Sequence, residues 1–207
     1  MFDSSAEFHG VSLNKELLPG PDLMNSLTGV LMRFRQENLD TMCDIEQMFH
    51  SFHVSPEHQS FLRFLWFKGN DPSKEVIEYK RTFHLFGNGP SRAIASFGLR
   101  KTADDGEEKY GKATRDFVYR NFYVEDGLTS CPTESETIEL IRNAQAVLAT
   151  ANLSLHKVVS NSVGVMEALP AEDRAKSVSN LDLRRDVLPT QRSLGVHWDI
   201  EDRKSVV

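Results

Sequence analysis

Glu125 and Asp126, in "FYVEDGLTS" (122–130), put two carboxylates side by side at the end of an aromatic run. A third acid, Asp44, stands alone in the apolar stretch "TMCDIEQMF" (41–49). Carboxylates gathered at one place repel one another unless a cation neutralises them. A pair of divalent ions about 3.5–4 Å apart does this in in-line phosphoryl transfer. The plainer readings are a solvated hairpin tip, where Asp and Gly are favoured turn residues, and a partnered acid within a strand. His50, His53 and His58 fit no standard zinc spacing and have no cysteine pair beside them, so they read as surface or packing histidines. "GNG" (87–89) lacks the Gly-Lys-Ser/Thr that would make it a phosphate loop.

Whether the acids meet depends on the elements that carry them. Leu23, Leu27, Val30, Leu31 and Phe34 recur at helical spacing after "PGPD", which predicts a helix from Asp22 to about Asn38. The run 41–49 reads as a buried strand bearing Asp44. Ser55 and Pro56 suit the start of a short helical turn, and "KGNDPSK" separates two strand-like runs into a hairpin at about 63–86. "RAIASFGLRKTA" is helical, the polar tract 104–116 reads as a surface connection or short exposed helix, and "FVYRNFYV" with "LTS" forms a second hairpin around "EDG". Thr133 and Glu136 have capping-box spacing ahead of a helix with Ile138, Ile141 and Leu148 on one face. "LSLHKVV" alternates like a half-buried strand, a short helical piece follows near 170–177, and "RSLGVHWDI" ends the chain as a strand. This order predicts an α+β fold with a ferredoxin-like β-α-β-β-α-β core. Its antiparallel sheet would be backed by two helices, with Asp44 on a central strand and the Glu125/Asp126 turn beside it.

Composition narrows the function classes. The chain has 207 residues, 40% hydrophobic and 26% charged, and a formal charge of -6, so no global basic field recruits polyanions and any nucleic-acid contact is local. Cys43 and Cys131 are too few for a disulfide framework or a four-cysteine zinc site, and suit a reducing compartment. There is no apolar run of about 18 residues and no signal-peptide pattern at the start. The expectation is an intracellular, cytoplasmic protein with no membrane partner.

Taken in order, "CDIEQMFHSFHVSPEHQSFLRFLWF", "HLFGNGPS", "FGLRKTA", "NFYVEDGLTS", "LSLHKVVSNS" and "LGVHW" resemble the reverse transcriptase domain of Bel/Pao-type LTR retrotransposon polyproteins. The resemblance runs over nearly the whole chain. It implies a right-hand polymerase palm with part of the fingers: a partial fingers segment at 1–40, the palm at 41–160 with the hairpin inserted at about 63–86, and a C-terminal palm or connection segment at 161–207 with a primer-grip-like strand. It also implies an RNA-directed DNA polymerase in which Asp44, Glu125 and Asp126 are catalytic and bind two Mg²⁺ ions, with Mn²⁺ as a substitute. By the same resemblance, the backbone at Ile45 and Glu46 lies near the triphosphate, and Phe49 sits under the sugar and excludes a 2'-hydroxyl. Gly87 belongs to the turn before the nucleotide-supporting helix, Tyr123 opens the Tyr-x-Asp-Asp-like turn, and Lys157 approaches the phosphates.

The implied partners are an RNA or DNA template with a DNA primer, and deoxynucleoside triphosphates. Flanking protease, RNase H and integrase domains are expected in a full-length polyprotein, and retroelement particles are an expected location. Two residues depart from the family pattern. Arg92 stands where a small residue or proline is usual. Glu125 replaces an aspartate and extends the oxygens by roughly 1.5 Å, and a misplacement of about 1 Å can cost on the order of a hundredfold in rate. Glu125, together with an expected lack of the remaining fingers and the thumb, predicts impaired activity. The competing expectation is an inactive remnant that binds nucleic acid or protein. A plain RNA-binding module ranks last, because Phe122 and Tyr123 alternate with acids rather than arginines.

Overall fold

The computed structural model describes residues 3–179, 190–194, 196–200 and 205–206. Along the chain run α1 (Leu13–Glu16), α2 (Leu27–Phe34), β1 (Leu39–Ile45), β2 (Arg63–Phe67), β3 (Val76–Lys80) and α3 (Ser91–Asn121). Then follow β4 (Phe122–Tyr123), β5 (Asp126–Cys131), α4 (Glu134–Ala149), β6 (Leu155–Ser160), α5 (Val163–Ala168) and α6 (Lys176–Ser179). The last strands are β7 (Gln191–Ser193), β8 (Val196–Trp198) and β9 (Ser205–Val206). Among the described residues no helix is long and apolar enough to cross a membrane. Two compact units emerge, one of residues 1–22 and 47–95, the other of residues 23–46 and 96–207.

The second unit is built on a four-stranded sheet in the order β4-β5-β1-β6, with every pair antiparallel. Chain order through it is β1-α3-β4-β5-α4-β6. That is the ferredoxin-like β-α-β-β-α-β arrangement, and it places β1 and β5 at the centre as the sequence predicts. Inside α2, Val30 and Phe34 are buried. Both belong to a core cluster with Met42 of β1, Leu128 of β5, Val159 of β6 and Trp198 of β8. Trp198 meets Phe34 edge-on with ring centroids 5.1 Å apart.

Several boundaries differ from expectation. Helix α2 starts at Leu27, not Asp22, with the Ser26 hydroxyl as its cap. The Asn25 side chain donates to the carbonyls of Tyr119 and Phe122, at 3.0 and 2.8 Å, and keeps the preceding backbone out of the helix. Strand β1 stops at Ile45, because Gln47 adopts a left-handed φ of 47° and starts a 3-10 turn at Met48–Ser51.

The tract 104–116 is helical on both sides of a tight connection at Gly111. Gly111, whose φ of 86° and ψ of 158° no other residue type takes easily, turns the chain back there, so that Arg115 reaches Asp104 at 2.7 Å from the second helical segment of α3. Leu99 and Ala103 are buried before the reversal and Thr114, Phe117 and Val118 after it, so "FVYRN" completes α3 and only Phe122–Tyr123 is strand. Helix α4 is capped as predicted, with the Thr133 hydroxyl accepting from the Glu136 amide at 3.3 Å. Its buried face is centred on Thr137, Ile141 and Ala144, with Ile138 only half-buried. The piece near 170–177 resolves into a 3-10 turn at Ala171–Asp173 and the start of α6. "RSLGVHWDI" is a hairpin of β7 and β8, with Leu194 at φ 53° where the chain reverses. Gly195 of "LGVHW" and residues 180–189 lie outside the described residues.

The first unit carries the predicted hairpin, with β2 and β3 in register from Arg63↔Lys80 to Phe67↔Val76. Ser55 and Pro56 lead into a turn and a 3-10 segment at Gln59–Phe61. Arg81 stacks over Phe64 and Phe83, at 4.9 and 5.7 Å from their centroids. Trp66 is half exposed on β2.

Candidate active site

Antiparallel register decides which side chains share a face, since residues directly opposite point to the same side of the sheet. Tyr123 of β4 pairs with Asp126 of β5, Asp126 with Asp44 of β1, and Asp44 with His156 of β6. One rung therefore crosses all four strands on one face, with two acids at its centre.

The other face explains Gly127. It belongs to β5, not to the turn. A Cβ on it would stand 2.7 Å from the Phe122 ring and 2.8 Å from the Cys43 sulfur, so glycine lets the aromatic ring cover the back of the acidic rung. Burial, then the charges of Asp44 and Asp126, push the Cys43 thiol up and keep it neutral.

The turn between β4 and β5 is only Val124 and Glu125. Val124 has φ 59°, a conformation that a β-branched residue rarely adopts. The Glu125 carbonyl accepts from the Ile45 amide at 3.0 Å, tying the turn to the end of β1. Burial first, and then the charges of Asp44 and Asp126, raise the Glu125 carboxyl above the ordinary range against the opposing effect of Lys157. Asp126 is also raised by burial, and further by Asp44, although a hydrogen bond from Ser193 and the charge of Lys157 pull it down. Asp44, distant in sequence, thus lies within electrostatic reach of both Glu125 and Asp126.

Asp44 is held by β6. His156 Nε2 lies 2.9 Å from Oδ1, and Lys157 Nζ lies 3.3 Å from Oδ2. Asp126 Oδ1 accepts from the Ser193 hydroxyl of β7 at 3.0 Å. Carboxylate oxygens suit a hard cation, and the raised acids are the electrostatic demand one would relieve. With these internal partners in place, no group of three His, Cys, Asp or Glu among the described residues is gathered tightly enough to hold an ion.

Of the other expected residues, Tyr123 and Lys157 belong to the same rung and its margin. Ile45 is buried and its amide is committed to Glu125, while the Glu46 amide donates to Ser154 at 2.9 Å, so neither amide is free to donate to a phosphate. Phe49 and Gly87 lie in the first unit. Phe49 is buried in the 3-10 turn and packs edge-on against Phe86, with centroids 5.8 Å apart. Gly87 has φ 91° in the turn before α3, and its would-be Cβ faces open space, so its conformation rather than close approach calls for glycine. Asn14 steadies that turn by donating to the Gly87 carbonyl and accepting from the Gly89 amide, at 2.9 and 2.8 Å. His156 and Ser193 complete the site without having been singled out in the sequence. Only the register and the β7–β8 hairpin bring them to it.

The architecture matches solved polymerases. A foamy viral protease-reverse transcriptase in complex with double-stranded DNA superimposes with a TM-score of 0.52 at 16% identity, over 70% of this chain and 22% of that one. The same type of protein in complex with an RNA/DNA hybrid gives a TM-score of 0.51 at 19% identity, over 70% of this chain and 17% of that one. This is a reverse-transcriptase-like palm fold. The palm spans about a fifth of the length of those viral chains. No protein-family model and no curated protein matches the sequence.

Proposed function

We propose that this palm is the catalytic core of an RNA-directed DNA polymerase of Bel/Pao retrotransposon type. The observation that carries the reading is the rung Tyr123–Asp126–Asp44, formed in register on that fold with Glu125 at its turn. The ordered motifs around "DIEQMF", "LFGNGPS", "YVEDG" and "LHKVVSN" support the retrotransposon type. In this reading Asp44, Glu125 and Asp126 would hold two Mg²⁺ ions, which when bound neutralise phosphate charge and lower the pKa of the primer 3'-hydroxyl. Tyr123 braces the turn, and Lys157 lends positive charge beside the acids. Phe49 selects the deoxy sugar, and the Gly87 turn supports the nucleotide. The substrates are deoxynucleoside triphosphates on an RNA or DNA template with a DNA primer, a reading supported by the double-stranded DNA and RNA/DNA hybrid held by the viral proteins. Protease, RNase H and integrase domains would accompany the palm in a polyprotein, with a cytoplasmic or particle location. Primer extension on a poly(rA) template tests the reading. Asp44→Ala should abolish incorporation, and equal incorporation by the variant and the wild type rejects the assignment.

A second reading, a palm that binds nucleic acid or protein without catalysis, is favoured by two observations. Both oxygens of Asp44 already have partners, and residue 125 is a glutamate. Glu125→Asp separates the two. A rise in extension of about ten- to a hundredfold identifies a polymerase slowed by carboxylate placement, whereas no extension by either form supports the binding role.

A further inference from the structure

We propose that His156 is the positioning residue of Asp44, and that Lys157 is the exchangeable cation on the same carboxylate. The inference rests on the polymerase reading and names two residues that set the aim and occupancy of its first acid. His156 faces Asp44 directly across the β1–β6 pair, with Nε2 2.9 Å from Oδ1. An ionised carboxylate only accepts hydrogen bonds, so Nε2 carries the proton and donates it.

Lys157 is the next residue along β6 and in a regular strand would point to the opposite face. It does not, because the ladder slips. From Met42 to Asp44 β1 advances two residues, while β6 uses three, from Val159 to His156. Lys157 adopts φ 50° at this irregularity, which has the form of a β-bulge re-aiming a side chain. Two consecutive side chains therefore grip one carboxylate, one on each oxygen.

The two grips differ. The His156 side chain is 20% exposed beside an Asp44 side chain that is 23% exposed, whereas that of Lys157 is 55% exposed. A short, half-buried imidazole on a strand holds one geometry. A long, solvated ammonium can leave Oδ2 at small cost. His156 thus fixes the rotamer that keeps Asp44 on the face of Asp126, and Lys157 competes for Oδ2 with any incoming cation.

The test measures Mn²⁺ binding by electron paramagnetic resonance, together with kcat and KM for the nucleotide, in the full chain and in His156→Leu, His156→Gln and Lys157→Gln. Glutamine can place an amide N–H where Nε2 stands, while leucine removes the donor. His156→Leu should weaken Mn²⁺ binding by about 10- to 100-fold, the usual range for a lost outer-shell partner. It should lower kcat with little change in KM, His156→Gln should recover most of the loss, and Lys157→Gln should bind Mn²⁺ more tightly than wild type. The ¹⁵N spectrum of the metal-free protein should show Nε2 of His156 protonated. If leucine unfolds the palm, asparagine replaces it, since its amide is too short to reach Oδ1. Mn²⁺ binding by His156→Leu equal to wild type, or glutamine losing as much as leucine in folded protein, overturns the inference alone. A wild type that binds no Mn²⁺ overturns the polymerase reading and this inference with it.

Discussion

Gly127 shows how narrow the tolerances are for single residues at the site. A methyl group there would enter both the Phe122 ring and the Cys43 sulfur, which stand on opposite neighbouring strands. Overpacking of this kind typically costs about 1–3 kcal/mol. Gly127→Ala should therefore lower the melting temperature by several degrees, and it should reduce any activity more than stability alone explains, because the strands it parts carry Asp126 and Asp44. The acids themselves were legible as residue types: an adjacent pair after an aromatic run and a lone aspartate in an apolar one. Lys157 was legible too, through the resemblance, but two of their partners were not. His156 looks like any polar position of an alternating strand, and Ser193 like any serine of a tail. Only the register, with its slip at Lys157, turns them into ligands of Asp44 and Asp126.

Among the elements, α3 and α4 were misjudged and well judged respectively, for physical reasons. Helix α4 announces itself through Thr133 and Glu136, whose capping contact forms as the spacing implies. Thr133→Ala should cost about 1 kcal/mol of stability, read as a shift in a denaturant midpoint with unchanged slope. In α3 the charges of 104–116 conceal helix on both sides of a reversal, and of its two glycines only Gly111 makes the turn that glycines suggest. Gly106 is instead a contact point: a Cβ there would overlap Val147 Cγ2 of α4. Gly106→Ala should force α3 off α4 and destabilise the palm despite alanine's better helix propensity, and a rise in melting temperature would refute that contact. The order of strands and helices was legible because periodicity survives in each. Boundaries were lost where a tertiary contact overrides it, as Asn25 does before α2.

For the whole molecule, the charge pattern sets a pH dependence of unusual sign. Glu125 and Asp126 are raised in the fold, chiefly by burial. Their contribution to stability is full below the ordinary carboxylate range near pH 4, and is lost as pH rises through the raised values. Asp104, lowered first by the Tyr119 hydroxyl, works in the opposite sense and stabilises above that range. In metal-free buffer the wild type should therefore lose stability relative to Asp126→Asn as pH rises from about 4 to about 7, measured by thermal denaturation. A difference that stays flat across the window would remove the electrostatic strain assigned to the rung. Each of the two compact units also contains one of the two tryptophans, Trp66 half exposed on β2 and Trp198 buried against Phe34. The chain thus carries a built-in fluorophore per unit, one emitting red-shifted and one blue-shifted, so that replacing either with phenylalanine lets an experimenter watch each half melt by its own colour.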